Sequence, residues 1–205
     1  TGAASGIGEA LANAFYNAKA NNIFVSDIYK EGLSDVAENV KGIAITADVT
    51  NEQDVVRMIN TPSDKIEKYC SNVCIGAHED FLSLDNDHWK RMIDTNLMSH
   101  IYGVRHVLPS MLDRGSGHLV FTASAAGLLS QIGSVTYSVT KHAVVSLAEW
   151  LKITYGKRGI GVKKREGDQI TPKGKFKIKY ILYRKDRVPY LKTKLSKLVI
   201  HKNMG

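Results

Sequence analysis

Over residues 1–162, apolar positions alternate between short runs and stripes of helical spacing. Ala10, Leu11 and Phe15 follow a glycine-rich opening with the spacing of one helix face. Ile23, Phe24 and Val25 make a brief β-rich run closed by Asp27. Residues 42–49 read as a second strand. Thr50 and Gln53 form a capping-box pattern ahead of Val55, Val56, Met58 and Ile59, which predicts a helix that Pro62 ends. Residues 66–72 predict a third strand, although Glu67 and Lys68 weaken it. Trp89, Ile93, Leu97 and Ile101 recur every four residues, the stripe of a helix. Leu119, Val120 and Phe121 centre a strand over residues 117–122, and Ala143, Leu147 and Leu151 mark a further helix. Strands alternating with helices predict βαβ units, hence a doubly wound, Rossmann-type α/β domain with a mostly parallel sheet covered on both faces. No internal repeat interrupts this order.

Charge changes the picture at residue 163. Residues 1–162 carry 14 Lys+Arg against 17 Asp+Glu, whereas residues 163–205 carry 14 against 3, so the net charge of +8 belongs to the tail. Lys163, Lys164 and Arg165 stand where the pattern calls for an interior strand. Burying unpaired cations there costs several kcal/mol each. The expectation is a domain over 1–162, a sheet interrupted near Val162, and an atypical basic segment over 163–205 that packs loosely or lies outside the body. Phe176, Ile178 and Tyr180 alternate with lysines, which suits a half-exposed strand and not a buried central one. The segment reads as a solvated extension or an unrelated reading frame. A nucleic-acid or anionic surface built from lysines with Tyr180, Tyr183 and Tyr190 is a weaker third reading.

Composition sets the class. The 205 residues are 43% hydrophobic, enough for the core of one compact domain. No run of 18 apolar residues or opening signal peptide is legible, which predicts no membrane partner. Cys70 and Cys74 lack companion ligands, so no metal site is expected, and the pair reads as free thiols in a reducing cytoplasm.

Two clusters carry chemistry. The opening TGAASGIG, Thr1 to Gly8, places glycines at 2, 6 and 8 before a helix. Glycine lets backbone N–H groups approach a pyrophosphate, and the helix offers its positive end. An ordinary tight turn before a helix is the alternative. Asp27 lies 19 residues after Gly8 at a strand end, where a carboxylate accepts ribose hydroxyls and repels a 2′-phosphate. That favours NAD, with NADP as the second cofactor choice, against an Asp that only caps the next turn. In the second cluster, Tyr137 and Lys141 are four apart and share a helix face. An ammonium beside a phenol stabilises the phenolate, which suits a general acid/base. Ser124 follows an apolar strand at its carboxyl end, where open α/β sheets place ligands. A surface Tyr–Lys pair and a loop serine are the alternatives.

The glycine loop, Asp27, Asp48–Val49, Asn96 within DTNL, Ser124 with Gly127, and YSVTK from Tyr137 to Lys141 stand in an order and spacing that resemble the short-chain dehydrogenase/reductase family. The resemblance covers roughly residues 1–162. It implies a hydride transfer between NAD(P) and a small alcohol or carbonyl substrate. It implies a cofactor loop of Gly2, Ser5, Gly6, Ile7 and Gly8, a ribose acid at Asp27, and adenine contacts at Asp48 and Val49. It also implies a proton-transferring Tyr137, a Lys141 that assists it and holds the nicotinamide ribose, a substrate-oxygen donor at Ser124, and an Asn96 whose carbonyl keeps a relay water. The helices over residues 89–108 and 138–153 resemble those that pair subunits, implying a homodimer or homotetramer.

Three features depart from the family. The chain opens at Thr1, without the apolar strand that precedes the glycine loop, so the expected sheet lacks its first strand. Asn72–Val73–Cys74 stands where the family has NAG. Asn72 matches as a cofactor-side residue, while Cys74 is expected to crowd the dinucleotide and to strain any backbone with positive φ. No Pro-Gly loop or substrate lid is recognisable after Val162. These departures support a rival reading, a catalytically incompetent relative or fragment acting only as a binding scaffold.

Overall fold

The computed structural model describes residues 1–63, 65–76, 78, 80–162, 180–183 and 196–199. Helices and strands alternate in the order α1 Gly6–Asn17, β1 Phe24–Asp27, α2 Lys30–Asn39, β2 Ile43–Thr46, α3 Glu52–Asn60, β3 Lys68–Ser71, α4 Asn86–Ile93, α5 Ser99–Asp113, β4 Gly117–Phe121, α6 Val135–Tyr155 and β5 Ile160–Val162. All their strand pairs are parallel: β1 with β2, and β3 with β4 with β5. Among the described residues these strands form two groups, β1 with β2 and β3 with β4 and β5. This is the expected Rossmann-type α/β architecture of parallel strands alternating with helices. Tyr180–Tyr183 (β6) and Ser196–Val199 (β7) form a further parallel pair. Phe176, Ile178, the run from Lys163 to Arg165 and the remainder of the basic segment lie outside the described residues.

The core is divided as well. One cluster gathers Ile45, Val55, Met58, Tyr69, Val104, Val107, Met111, Leu119, Leu151 and Ile160 from β2 through β5 and their helices. The other gathers Ala3, Ala12, Val25, Leu33, Val36, Ala37 and Val40 around α1, β1 and α2.

Two local expectations are corrected. The α3 cap is Asn51, whose carboxamide oxygen accepts from the Gln53 and Asp54 N–H groups at 2.9 and 3.4 Å. Thr50 sits one residue too early, and its hydroxyl donates to Asp48 Oδ1 at 2.7 Å. The stripe at Trp89, Ile93, Leu97 and Ile101 is not the core face. A π-helical turn at Asp94–Met98 separates α4 from α5. The buried face runs through Met92, Thr95, Asn96, Ser99, His100, Gly103, Val104 and Val107. Ile93 is exposed and the other three stripe residues are half-buried. Much of the buried face is polar, so hydrophobic periodicity passes over it.

Candidate active site

The motif residues collect beyond the carboxyl ends of the parallel strands. Asp27 ends β1, Asp48 and Val49 follow β2, Asn72 follows β3, and Ser124 follows β4. The glycine loop is built by backbone demands. Gly2 and Gly6 have φ of +65° and +57°, and a Cβ on Gly8 would come within 1.9 Å of the Gly2 carbonyl oxygen. Only glycine fits at position 8. Ser5 leads into α1 without a side-chain cap bond, and Ser5, Gly6 and Ile7 are exposed. The first N–H groups of the helix are thus open to an anion.

Asp27 fastens this loop. Its Oδ2 accepts from the Ala4 N–H and its Oδ1 from the Tyr29 N–H, both at 3.0 Å. Each carboxylate oxygen keeps a lone pair for a ribose hydroxyl. Asp48 is held in a turn by the Thr50 N–H at 2.9 Å, beside the buried Val49. Asn72 stitches three segments. Its Nδ2 donates to the Thr1 carbonyl at 3.2 Å, and its Oδ1 accepts from Thr122 Oγ1 at 2.6 Å. Its side chain is therefore engaged in joining the loop to β3 and β4.

On α6, Lys141 is fully buried, and its Nζ donates to the Thr122 carbonyl at 2.8 Å and sits 5.5 Å from the centre of the Tyr137 ring. Burial lowers its pKa from the ordinary lysine value, and the charge of the Cys74 sulfur acts in the opposite direction. Gly127 permits this packing, since a Cβ there would meet the Lys141 carbonyl oxygen at 2.7 Å. Ser124 Oγ accepts from the Ala126 N–H at 3.1 Å and opens the one-turn helix Ala125–Gly127, which packs on α6. Asn96 is fully buried in the π turn. Its Oδ1 accepts from the Ile75 N–H and its Nδ2 donates to the Ile75 carbonyl, both at 2.8 Å. Nδ2 also reaches Thr140 Oγ1 at 3.2 Å, and that hydroxyl donates to the Tyr137 carbonyl at 2.9 Å. Asn96 is thus linked through Thr140 to the Tyr137 backbone, and π turns recur at functional sites.

Cys74 departs from its expected strain. It is exposed, and it is not among the described residues with positive φ, so its Cβ sits in ordinary backbone. Sequence reasoning missed His100. That imidazole is fully buried, with Nδ1 2.6 Å from Ser71 Oγ and Nε2 without a hydrogen-bond partner. Burial, reinforced by the Lys141 charge, lowers its pKa to about 3. The available signal was its place four residues after Asn96.

Against known proteins, residues 1–165 match the short chain dehydrogenase family model. The chain belongs to the short-chain dehydrogenase family. An uncharacterised oxidoreductase of Listeria innocua is 32% identical over 171 residues, covering 80% of this chain and 68% of the relative. One from Staphylococcus aureus is 32% identical over 170 residues, covering 79% and 72%. Among solved structures, a short-chain dehydrogenase/reductase of Burkholderia phymatum in complex with NAD is 28% identical with a TM-score of 0.75, over 79% of this chain and 61% of that one. A Beutenbergia cavernae structure described as an NAD(P)-dependent gluconate 5-dehydrogenase, with bound NADP, is 25% identical with a TM-score of 0.75, over 79% and 67%. This short-chain dehydrogenase therefore spans about two thirds of the length of the proteins it matches. Among the described residues, no helix is long and apolar enough to cross a membrane.

Proposed function

We propose that the chain transfers a hydride between NAD and a small alcohol or carbonyl substrate, with Tyr137 moving the accompanying proton. The observation that carries this reading is the buried Lys141 ammonium 5.5 Å from the Tyr137 ring centre. A tyrosine so placed exchanges a proton with a substrate hydroxyl. Ser124 holds the substrate oxygen by a hydrogen bond. The Asn96 carbonyl keeps a water that links Lys141 to solvent.

The glycine cradle, with its open helix end, fits a dinucleotide pyrophosphate. Gly2, Ser5, Gly6, Ile7 and Gly8 hold it, Asp27 takes the adenosine ribose, Asp48 and Val49 face the adenine, and Asn72 supports the adenosine side. When bound, the nicotinamide ring supplies or accepts the hydride. In the oxidation direction the substrate hydroxyl proton passes to the Tyr137 oxygen; in reduction Tyr137 returns it to the new alkoxide. Asp27 favours NAD, and NADP is the second choice. The NAD-bound and NADP-bound relatives are consistent with either.

The substrate enters between residues 76–84 and 127–134. A second copy of the chain pairs through α4–α5 and α6, a face on which Trp150 is 57% and Ile153 81% exposed. The free thiols suit a reducing cytoplasm. The rival reading, a scaffold or fragment without turnover, draws support from Val73–Cys74, which stand where the family has Ala-Gly. Titrating NAD and NADP against wild type and Asp27→Ala, with turnover on a panel of secondary alcohols, separates the readings. The proposal expects an NAD preference that Asp27→Ala relaxes. A wild-type preference for NADP overturns the role of Asp27, and cofactor binding without turnover on any alcohol or ketone favours the scaffold.

A further inference from the structure

Two loops converge on the Tyr137 phenol. Gly76 lies against its ring: a Cβ there would sit 3.7 Å from Tyr137 Cδ2, so the lack of a side chain leaves that side of the ring uncovered. Two residues on, His78 meets the second loop, where a Cβ on Gly133 would come within 2.6 Å of the imidazole. That second loop is tied to the helix turn that carries Tyr137. The Gln131 N–H donates to Ser138 Oγ at 2.9 Å, and the same hydroxyl donates to the Ser134 carbonyl at 3.0 Å. At its other end the loop continues from Ser124 through the one-turn helix Ala125–Gly127, which packs on α6.

The side chains that these loops present are apolar. Leu128, Leu129 and Ile132 are exposed, Ile132 at 98%, and so are Phe81 and Leu82 on the one-turn helix Phe81–Ser83. Large apolar side chains gathered at a protein surface mark ligand or partner sites. Charge narrows the ligand. Residues 73–84 and 122–136 contain no Lys or Arg, and their ionisable side chains are Cys74, His78, Glu79 and Asp80. Asp80 is exposed and opens the turn that carries Phe81 and Leu82, its Oδ1 accepting from the Leu82 N–H at 3.4 Å. Lys141, the cation beside Tyr137, is fully buried and donates to the Thr122 carbonyl. An anionic substrate would therefore meet a carboxylate in place of a counter-charge, and would give up hydration against leucine and isoleucine.

We infer that the two loops form an apolar subsite, which selects an uncharged alcohol or ketone with a hydrocarbon flank of several carbons and rejects one that bears a carboxylate or phosphate. The inference rests on the proposed role of Tyr137, which fixes where the reacting oxygen sits, and adds the chemistry of the rest of the substrate. Leu128, Leu129, Ile132, Phe81 and Leu82 determine that specificity. The patch is continuous with the phenol through Gly76 and with the Ser124 hydroxyl through Ala125–Gly127, which points to a substrate and not to a protein face.

Two probes that differ only at the end remote from the carbonyl test this. They are 2-nonanone and 8-oxononanoate, the same methyl ketone with a carboxylate in place of the terminal methyl. Binding is read from amide chemical shifts of the chain, with and without NAD, and turnover separately from NADH absorbance. Saturable shifts at Leu128, Leu129 and Gly133 are expected with 2-nonanone, at a Kd at least about tenfold below that of 8-oxononanoate. From 2-butanone to 2-nonanone, affinity is expected to rise by about two- to fourfold per methylene, the gain from half to full burial of each. Leu129→Lys places an ammonium at an exposed position of the subsite, and is expected to narrow the preference for the neutral probe by about fivefold or more. Equal affinities for the two probes, a flat series, or a preference that Leu129→Lys leaves unchanged would each overturn the inference. Shifts at these amides that grow with the chain's own concentration, without ligand, would assign the patch to a second copy and overturn it too. Binding of 2-nonanone at these amides without turnover of any ketone upholds the subsite and refutes the role of Tyr137. Turnover that favours the carboxylate probe refutes the subsite and upholds that role.

Discussion

His100 gives a prediction that runs from burial to pH dependence. Its ring is fully buried against Ser71 and Phe121, and the pKa falls from 6.5 to about 3 through burial and the Lys141 charge. A histidine lowered on folding is held neutral by the native state. Its contribution is whole above pH 6.5 and is lost as pH falls from 6.5 toward 3, where the unfolded chain binds a proton that the folded chain refuses. At pH 5 the unfolded ring is about 1.5 pH units below its own pKa. At about 1.4 kcal/mol per unit, the native state gives up on the order of 2 kcal/mol between pH 7 and pH 5 through this residue alone. His100→Gln keeps a hydrogen bond for Ser71 and cannot titrate. Urea unfolding of both proteins at pH 7 and pH 5 measures the difference. Other acid-sensitive groups, including Glu52 and Asp54, whose pKa values are lowered by hydrogen bonds to His106 and to the Asp48 N–H, are common to both proteins and cancel. The variant is expected to lose about 2 kcal/mol less than wild type over that interval. Equal losses would refute the reasoning and place a proton on His100 at no cost to the fold.

Two further substitutions probe the site's frame. Gly8→Ala forces a methyl to within 1.9 Å of the Gly2 carbonyl oxygen, and is expected to cost about 1–3 kcal/mol by urea unfolding and to abolish NAD binding by calorimetry. Wild-type stability would show that the loop gives way freely. Asn96→Ala strips the Ile75 N–H and carbonyl of their partners and is expected to destabilise by about 1–3 kcal/mol, with faster amide exchange at Ile75. Unchanged exchange at Ile75 would mean that another group takes over those bonds.

The order of elements was legible because strands buried between helix layers write themselves as short apolar runs, as at Phe24–Val25 and Leu119–Phe121. Their ends were less so: residues 42–49 shortened to Ile43–Thr46, since backbone pairing and not hydropathy sets where a strand stops. The helix stripe at Trp89 misled because Asn96 and His100 are buried by hydrogen bonding, and polar burial leaves no hydrophobic signal. The proximity of Tyr137 to Lys141 and the tight turn at the glycines were readable from spacing, whereas the Thr140 bridge to Asn96 involves a polar side chain that no hydrophobic pattern marks. Which strands pair with which came only from the backbone hydrogen bonds.

The measurement closest to the central claim is single-turnover hydride transfer by Tyr137→Phe, read as nicotinamide absorbance, beside a calorimetric NAD titration of the same protein. The proton-transfer role predicts NAD affinity within about twofold of wild type and a rate lowered by about 10²–10⁴, the loss typical of a missing general acid/base. A Tyr137→Phe rate equal to that of active wild type would contradict it.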